Sequence, residues 1–147
     1  MLAHPDSTPV RFSTWELPER DRLTRWREEF GRRLIGVEVE PRGSQIPFYA
    51  EATLQALPGV RIASWGGSPA CLNRTPLLAA DRDESIGLLV NLGAKALMSH
   101  LGRDVVLQPG EAVFIVHHEP AALTHDAVRF HCLAFPRAIA SSAYVRS

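Results

Sequence analysis

The chain has 147 residues, 46% of them hydrophobic and 22% charged, and its 16 basic residues balance 16 acidic ones. That is enough chain for one domain with a proper core, and its zero formal net charge argues against nucleic-acid contact as the job of this segment, because phosphate binding needs a basic surface. No apolar run approaches the roughly 20 residues of a membrane span, and two cysteines, Cys71 and Cys132, are too few for a disulfide scaffold, so free thiols in a reducing cytoplasm are expected.

In chain order, residues 1–10 (MLAHPDSTPV) lack the basic and apolar regions of a secretory signal and read as a flexible lead. Arg11 to Leu17 forms a first extended segment. From Pro18, apolar residues Leu23, Trp26, Phe30 and Leu34 recur at spacings of three and four, one face of an α-helix. Pro18 suits the first turn, Glu19 and Asp21 complement its positive end, Arg32 and Arg33 its negative end, and Gly36 stops it. The mixed charges between read as a solvated outer face.

Strands follow. Ile35, Val37 and Val39 alternate with polar residues or glycine, as do Phe48, Ala50, Ala52 and Leu54. Pro58-Gly59 is a turn. Val60 to Trp65 places Val60, Ile62 and Ser64 on one face and Arg61, Ala63 and Trp65 on the other. Cys71 to Glu84 is irregular, with a short strand expected over Leu77 to Ala80. The segments Ile86–Leu92, Ala94–His100, Asp104–Leu107 and Ala112–His117 form a four-strand meander punctuated by Gly93, Gly102 and Pro109-Gly110. Ala121 to His125 is a strand or loop, Val128 to Phe135 a last strand, and Pro136 opens a helix. This pattern predicts a mainly β domain with flanking helices: an antiparallel β-barrel or sandwich with an amphipathic N-terminal helix.

Chemistry-bearing patterns are sparse. His117 and His118 are adjacent and therefore point to opposite faces of a strand. No His-x-His is present, so neither a metal site nor a cofactor is expected. There is no Gly-x-Ser-x-Gly and no phosphate-binding glycine loop. Arg74 reads either as a surface arginine or as one that faces an anion or braces backbone at a barrel rim. Trp65 lines a cavity or fills one.

These pieces together carry a resemblance. Leu17-Pro18-Glu19-Arg20-Asp21-Arg22-Leu23 leads to Trp26-Arg27-Glu28. Phe48-Tyr49-Ala50 and Val60-Arg61-Ile62-Ala63 follow, then Arg74. Asn91-Leu92-Gly93, Leu101-Gly102-Arg103-Asp104 and Leu107-Gln108-Pro109-Gly110-Glu111 come next, and Phe135-Pro136-Arg137 closes the series. In order and spacing the chain resembles, from about Arg11 to Arg137, the N-terminal sensor domain of AraC-family transcriptional regulators, in the AraC-binding-like subtype. The resemblance implies a cupin-like barrel over 11–136 that binds a small-molecule effector and forms a homodimer. It also implies a linker helix starting over 137–147, toward a C-terminal DNA-binding unit with two helix-turn-helix motifs that is not in this chain. The chain is thus expected to be a cytoplasmic regulator domain rather than an enzyme, with no membrane partner. A cupin-type metal-dependent enzyme and a ligand-free dimerisation module are the rival readings. The candidate ligand-pocket residues are Trp65, Arg74, Met98, His100, His118 and His131. Where relatives often carry an Asp, this chain has His117-His118-Glu119, which suits a polar or acidic effector or a pH response.

Overall fold

Residue alternation builds the strands: in Ser85–Asn91 every second residue (Ser85, Gly87, Leu89, Asn91) is buried and the residues between are half-exposed, the period of a strand with one face against a core. In a computed structural model, residues 8–43, 47–80, 84–126 and 128–138 are described. Most of the lead expected over 1–10 and of the linker expected over 137–147 lies outside them.

The described strands are β1 (Val10–Ser13), β2 (Glu38–Pro41), β3 (Ala50–Leu57), β4 (Val60–Gly67), β5 (Ala70–Arg74), β6 (Ser85–Asn91), β7 (Ala96–His100), β8 (Arg103–Leu107), β9 (Ala112–Val116), β10 (Ala121–His125) and β11 (Val128–Pro136). They form two antiparallel sheets. The first has the order β1-β3-β4-β11-β6-β9 and the second β2-β5-β10-β7-β8. The core lies between their inner faces.

The central four strands are therefore not one meander. β6 and β9 pair with each other in the first sheet, while β7 and β8 form a hairpin of the second. The glycine turns hold locally. Leu101 and Gly102 both have positive φ in the two-residue β7–β8 loop, the conformation that matches hairpin twist. Pro109-Gly110 turns with Glu111 N donating to Gln108 O at 3.0 Å. What redirects the chain between sheets is Asn91, fully buried. Its Nδ2 donates to Ala94 O and Leu107 O, and its Oδ1 accepts from Gly93 N.

Helix α1 (Glu19–Arg25) continues without a break into a π-helical stretch, Trp26–Ile35. The wider i→i+5 turn changes the buried stripe. Trp26, Phe30 and Gly31 are buried, Ile35 packs beside them, and Leu34 is 43% exposed. The three-and-four spacing that places Leu34 on the buried face gives way to a four-and-five spacing. Trp26 stacks on Phe30 at 4.1 Å, and the aromatic line continues through Trp65 to Phe130. The outer face is solvated, with Arg33–Glu29, Arg32–Glu38 and Arg27–Glu40 ion pairs. Gly36 ends the helix in the left-handed conformation at φ 78°.

Two further readings change. Pro76–Ala79 is a short helical turn, α2, capped by Thr75 Oγ1 accepting from Leu78 N, where a strand over Leu77 to Ala80 is expected. The first part of Cys71 to Glu84, read as irregular, belongs to β5 (Ala70–Arg74), which lies between β2 and β10. Cys71 and Cys132 are not joined in a disulfide.

The far end of the core holds His125, 4% exposed, edge-on to Phe130. Its Nδ1 lies 2.6 Å from Asp126 O, so Nδ1 carries the proton. Burial lowers its pKa below the ordinary 6.5; the bond to Asp126 O opposes that shift, and Arg42 adds to it. Because the folded state resists a proton that the unfolded chain accepts, the stabilisation is full above about pH 6.5 and is lost as pH falls below it. The urea midpoint is expected to drop between pH 7.5 and 5.5, and less steeply in His125→Gln; equal slopes would refute the assignment.

Candidate functional site

Between the sheets lies a cavity of about 730 Å³, within the size range of small-ligand sites. Strand register resolves its wall into three levels. At the mouth, Arg61 and Ala134 of the first sheet pair across from Gly87, while Arg74 pairs with Ala121 in the second. In the middle, Ala63, Cys132 and Leu89 face Leu72, Leu123 and Met98. At the deep end stands Trp65, paired with Phe130. Its Nε1–H is buried without a hydrogen-bond partner among the described residues.

The mouth is where polar chemistry collects. Arg74, 4% exposed, donates from Nε to His117 O at 2.7 Å and from Nη1 to Gly36 O at 2.9 Å. It thus ties the end of the helix to the segment after β9. Arg61 is exposed; its Nη2 donates to Ser85 Oγ at 2.9 Å, and that hydroxyl is 3.0 Å from His117 Nδ1. Arg61, Arg74 and His117 all line the cavity, and none of the described lining residues is Asp or Glu.

Gly87 is what admits the His117 ring. A Cβ at position 87 would stand 2.6 Å from His117 Cε1 and 3.2 Å from Cys132 Sγ, closer than van der Waals contact permits. Gly87→Ala is therefore expected to cost about 1–3 kcal/mol, the usual cost of overpacking, and to swing His117 off Ser85. In histidine ring NMR the His117 signals should move while those of His100 stay; unmoved His117 signals would refute the packing argument.

The six residues singled out from sequence separate into two groups. Trp65, Arg74 and Met98 come together on the cavity wall. His100, His118 and His131 do not line it. His100 serves the backbone: Nε2 accepts from Val116 N at 3.0 Å and Nδ1 donates to Pro120 O at 2.8 Å, which fixes the β9–β10 connection. His118 lies 3.8 Å from Glu119. His131 sits on the outer face of the first sheet, between Ser64 and Val90. Sequence reasoning did not place Arg61 on the cavity wall, and of the histidine pair it singled out it named His118 rather than His117 as a pocket residue. The alternation in β4 that puts Arg61 on the face of Trp65 was the available signal for the first, and Gly87 opposite the histidine pair has meaning only in three dimensions. Among the described residues, no group of three or more His, Cys, Asp or Glu stands close enough to hold a metal ion, and no helix is long and apolar enough to cross a membrane.

A two-sheet antiparallel sandwich with an interior cavity and a helix across it is a cupin-like binding domain. Within that class the chain belongs to the AraC-binding-like domain family, which matches residues 26–146, so it is an AraC-type regulatory, ligand-binding domain. Among solved structures it is similar to the AraC-like transcriptional activator CuxR, at 16% identity and TM-score 0.77, over 92% of this chain and 50% of that one. The chain thus spans about half the length of that activator, and the likeness bears on fold alone. Weaker similarities, on which nothing here rests, are to the EutQ protein of Clostridium difficile (13% identity, TM-score 0.48, 63% of this chain and 66% of that one) and to a cupin superfamily protein from Desulfitobacterium hafniense DCB-2 (13%, 0.49, 66% and 83%). No curated protein sequence matches the chain.

Proposed function

We propose that this domain is the effector-sensing and dimerisation module of an AraC-family transcription regulator. It binds a small molecule in the cavity between its sheets and controls a helix-turn-helix unit C-terminal to it. It acts in the cytoplasm and is non-catalytic. The observation that carries the reading is the link between cavity and frame: Arg74, on the cavity wall, also holds Gly36 O at the end of the helix and His117 O after β9. A molecule that contacts Arg74 differently in two placements of the helix shifts the balance between them, by no more than its difference in affinity. Coupling on the order of 1–3 kcal/mol is typical of such linkage.

The test has two parts. Ala63→Phe places a ring in the middle of the cavity. Compounds selected by thermal shift on the parent domain are expected to lose their effect on this variant while its urea midpoint holds; equal shifts in both would place binding elsewhere. The full-length protein should then bind its operator differently with and without such a compound, and identical binding would overturn the regulatory reading. Sedimentation of the domain should show a dimer; a monomer at every accessible concentration would remove dimerisation from the proposal.

A further inference from the structure

We infer that a second copy of this chain docks on the free edge of the first sheet. The β9 strands of the two copies pair antiparallel about a two-fold axis, with Val113 at the axis. The inference rests on the dimerisation part of the reading above and names its surface.

Three observations carry it. First, β9 is the one described edge strand without a device against pairing. A sheet edge presents unpaired N–H and C=O groups, and soluble proteins blunt it with charge or proline. β1 carries Arg11, β2 carries Glu38, Glu40 and Pro41, and β8 carries Arg103 and Asp104. β9 reads AVFIV, with neither charge nor proline. Such an edge meets a copy of itself without like-charge repulsion, which β2 could not do.

Second, the backbone groups fix a register. His117 N donates to Ser85 O and Asn91 N donates to Glu111 O. Antiparallel pairs alternate, so Val113 and Ile115 bond toward β6, while Ala112, Phe114 and Val116 turn their backbone groups to the free edge. Those of Val116 are taken: N donates to His100 Nε2, and O accepts from Glu119 N, both at 3.0 Å. Those of Ala112 and Phe114 have no partner among the described residues. With Val113 at the axis, Ala112 of each copy stands opposite Phe114 of the other, and each pair exchanges both of its N–H···O bonds.

Third, apolar surface gathers on this side. The bond from Val116 to His100 sets β9 beside the β7–β8 hairpin. Phe114 is 62% exposed, and Leu97, Val105 and Val106 of that hairpin are exposed as well. A strip five residues long and two sheets deep measures about 17 Å by 20 Å. Two such strips bury on the order of 1,000 Å² once side-chain relief is counted, the lower bound of a specific interface, so the dimer is a reversible one.

Sedimentation equilibrium and residue-level amide exchange by NMR test this together. The parent domain is expected to dimerise in the micromolar range. The Ala112 and Phe114 amides should exchange more slowly as concentration rises, while those of Val113 and Ile115 stay unchanged. Phe114→Lys and Ala112→Lys, both at exposed positions, are expected to weaken the dimer at least about tenfold. Leu77→Lys, at an exposed position on α2, should leave it at parent strength. A dimer that persists in both edge variants overturns the β9 interface and leaves dimerisation standing through another surface. Exchange at Ala112 and Phe114 that does not vary with concentration overturns it too, because those groups then gain nothing from a second copy. A monomer at every concentration removes this inference and dimerisation together; the cavity reading is judged separately, by Ala63→Phe.

Discussion

Arg74→Met is expected to lower the stability of the domain by about 3–5 kcal/mol, since hydrogen bonds from a charged donor are worth about 1.5–3 kcal/mol each when a buried acceptor is left behind. Arg74 is 4% exposed and, among the described residues, donates to Gly36 O and His117 O. Methionine fills much of the volume of the arginine stem, so the loss reports the guanidinium rather than an empty space. Arg74→Lys keeps the charge, but a single ammonium group does not reproduce the fork that spans the two carbonyls; about half the loss is expected. The measurement is urea unfolding of all three proteins. A Met variant within the error of the parent would mean that the two carbonyls find other donors, and the link from cavity to helix would lose its physical basis.

The second large effect is expected at Phe30. The side chain is fully buried, stacked on Trp26 at 4.1 Å and tilted against Trp65 at 5.8 Å. Phe30→Ala should cost about 3–5 kcal/mol, the usual range for removal of a buried aromatic ring. Against a total stability of about 5–15 kcal/mol for a typical domain, that is enough to free the helix. Because Phe30 joins the helix to the sheets, the loss should be local first. Limited proteolysis is expected to cut within Glu19–Ile35 well before the strands, and Phe30→Leu should be cut far less readily. If cleavage in Phe30→Ala falls equally on helix and sheets, the helix is not a separable unit, and a mechanism that moves its end against the cavity would need a different moving part.

Both predictions bear on how much of this molecule is readable from its residues. The strands were legible because alternation is a local property. Val60 to Trp65 divides into two faces without reference to anything else, and the turns at Pro58-Gly59, Leu101-Gly102 and Pro109-Gly110 follow from the conformations that glycine and proline allow. β5 was hidden because a strand ending in Asn73 and Arg74 does not look buried. Arg74 is buried because its partners come from positions 38 and 43 residues away. The helix was legible as an element, but the displaced stripe at Leu34 was not, since a π-helical turn is set by what Trp26 and Phe30 pack against.

The histidine pair shows the division most sharply. Adjacency alone requires that His117 and His118 point in different directions. The sequence favours neither for the interior, and His118 is the one it led us to name. The structure turns His117 inward, over Gly87 and beside Cys132, because only a residue without a side chain leaves room for the ring there.

By itself, then, the sequence determined most of the strands, the helix before them, the turns and the family: a mainly β sensor-type domain with a helix before its strands. These are matters of neighbouring residues and their order. Tertiary structure alone decided which strands share a sheet and that Arg61, Arg74 and His117 meet at one cavity mouth. The physical reason is that no local preference acts across such separations. Ser85 joins Arg61 and His117 from 24 and 32 residues away, and only the stacking of two complete sheets brings those positions together.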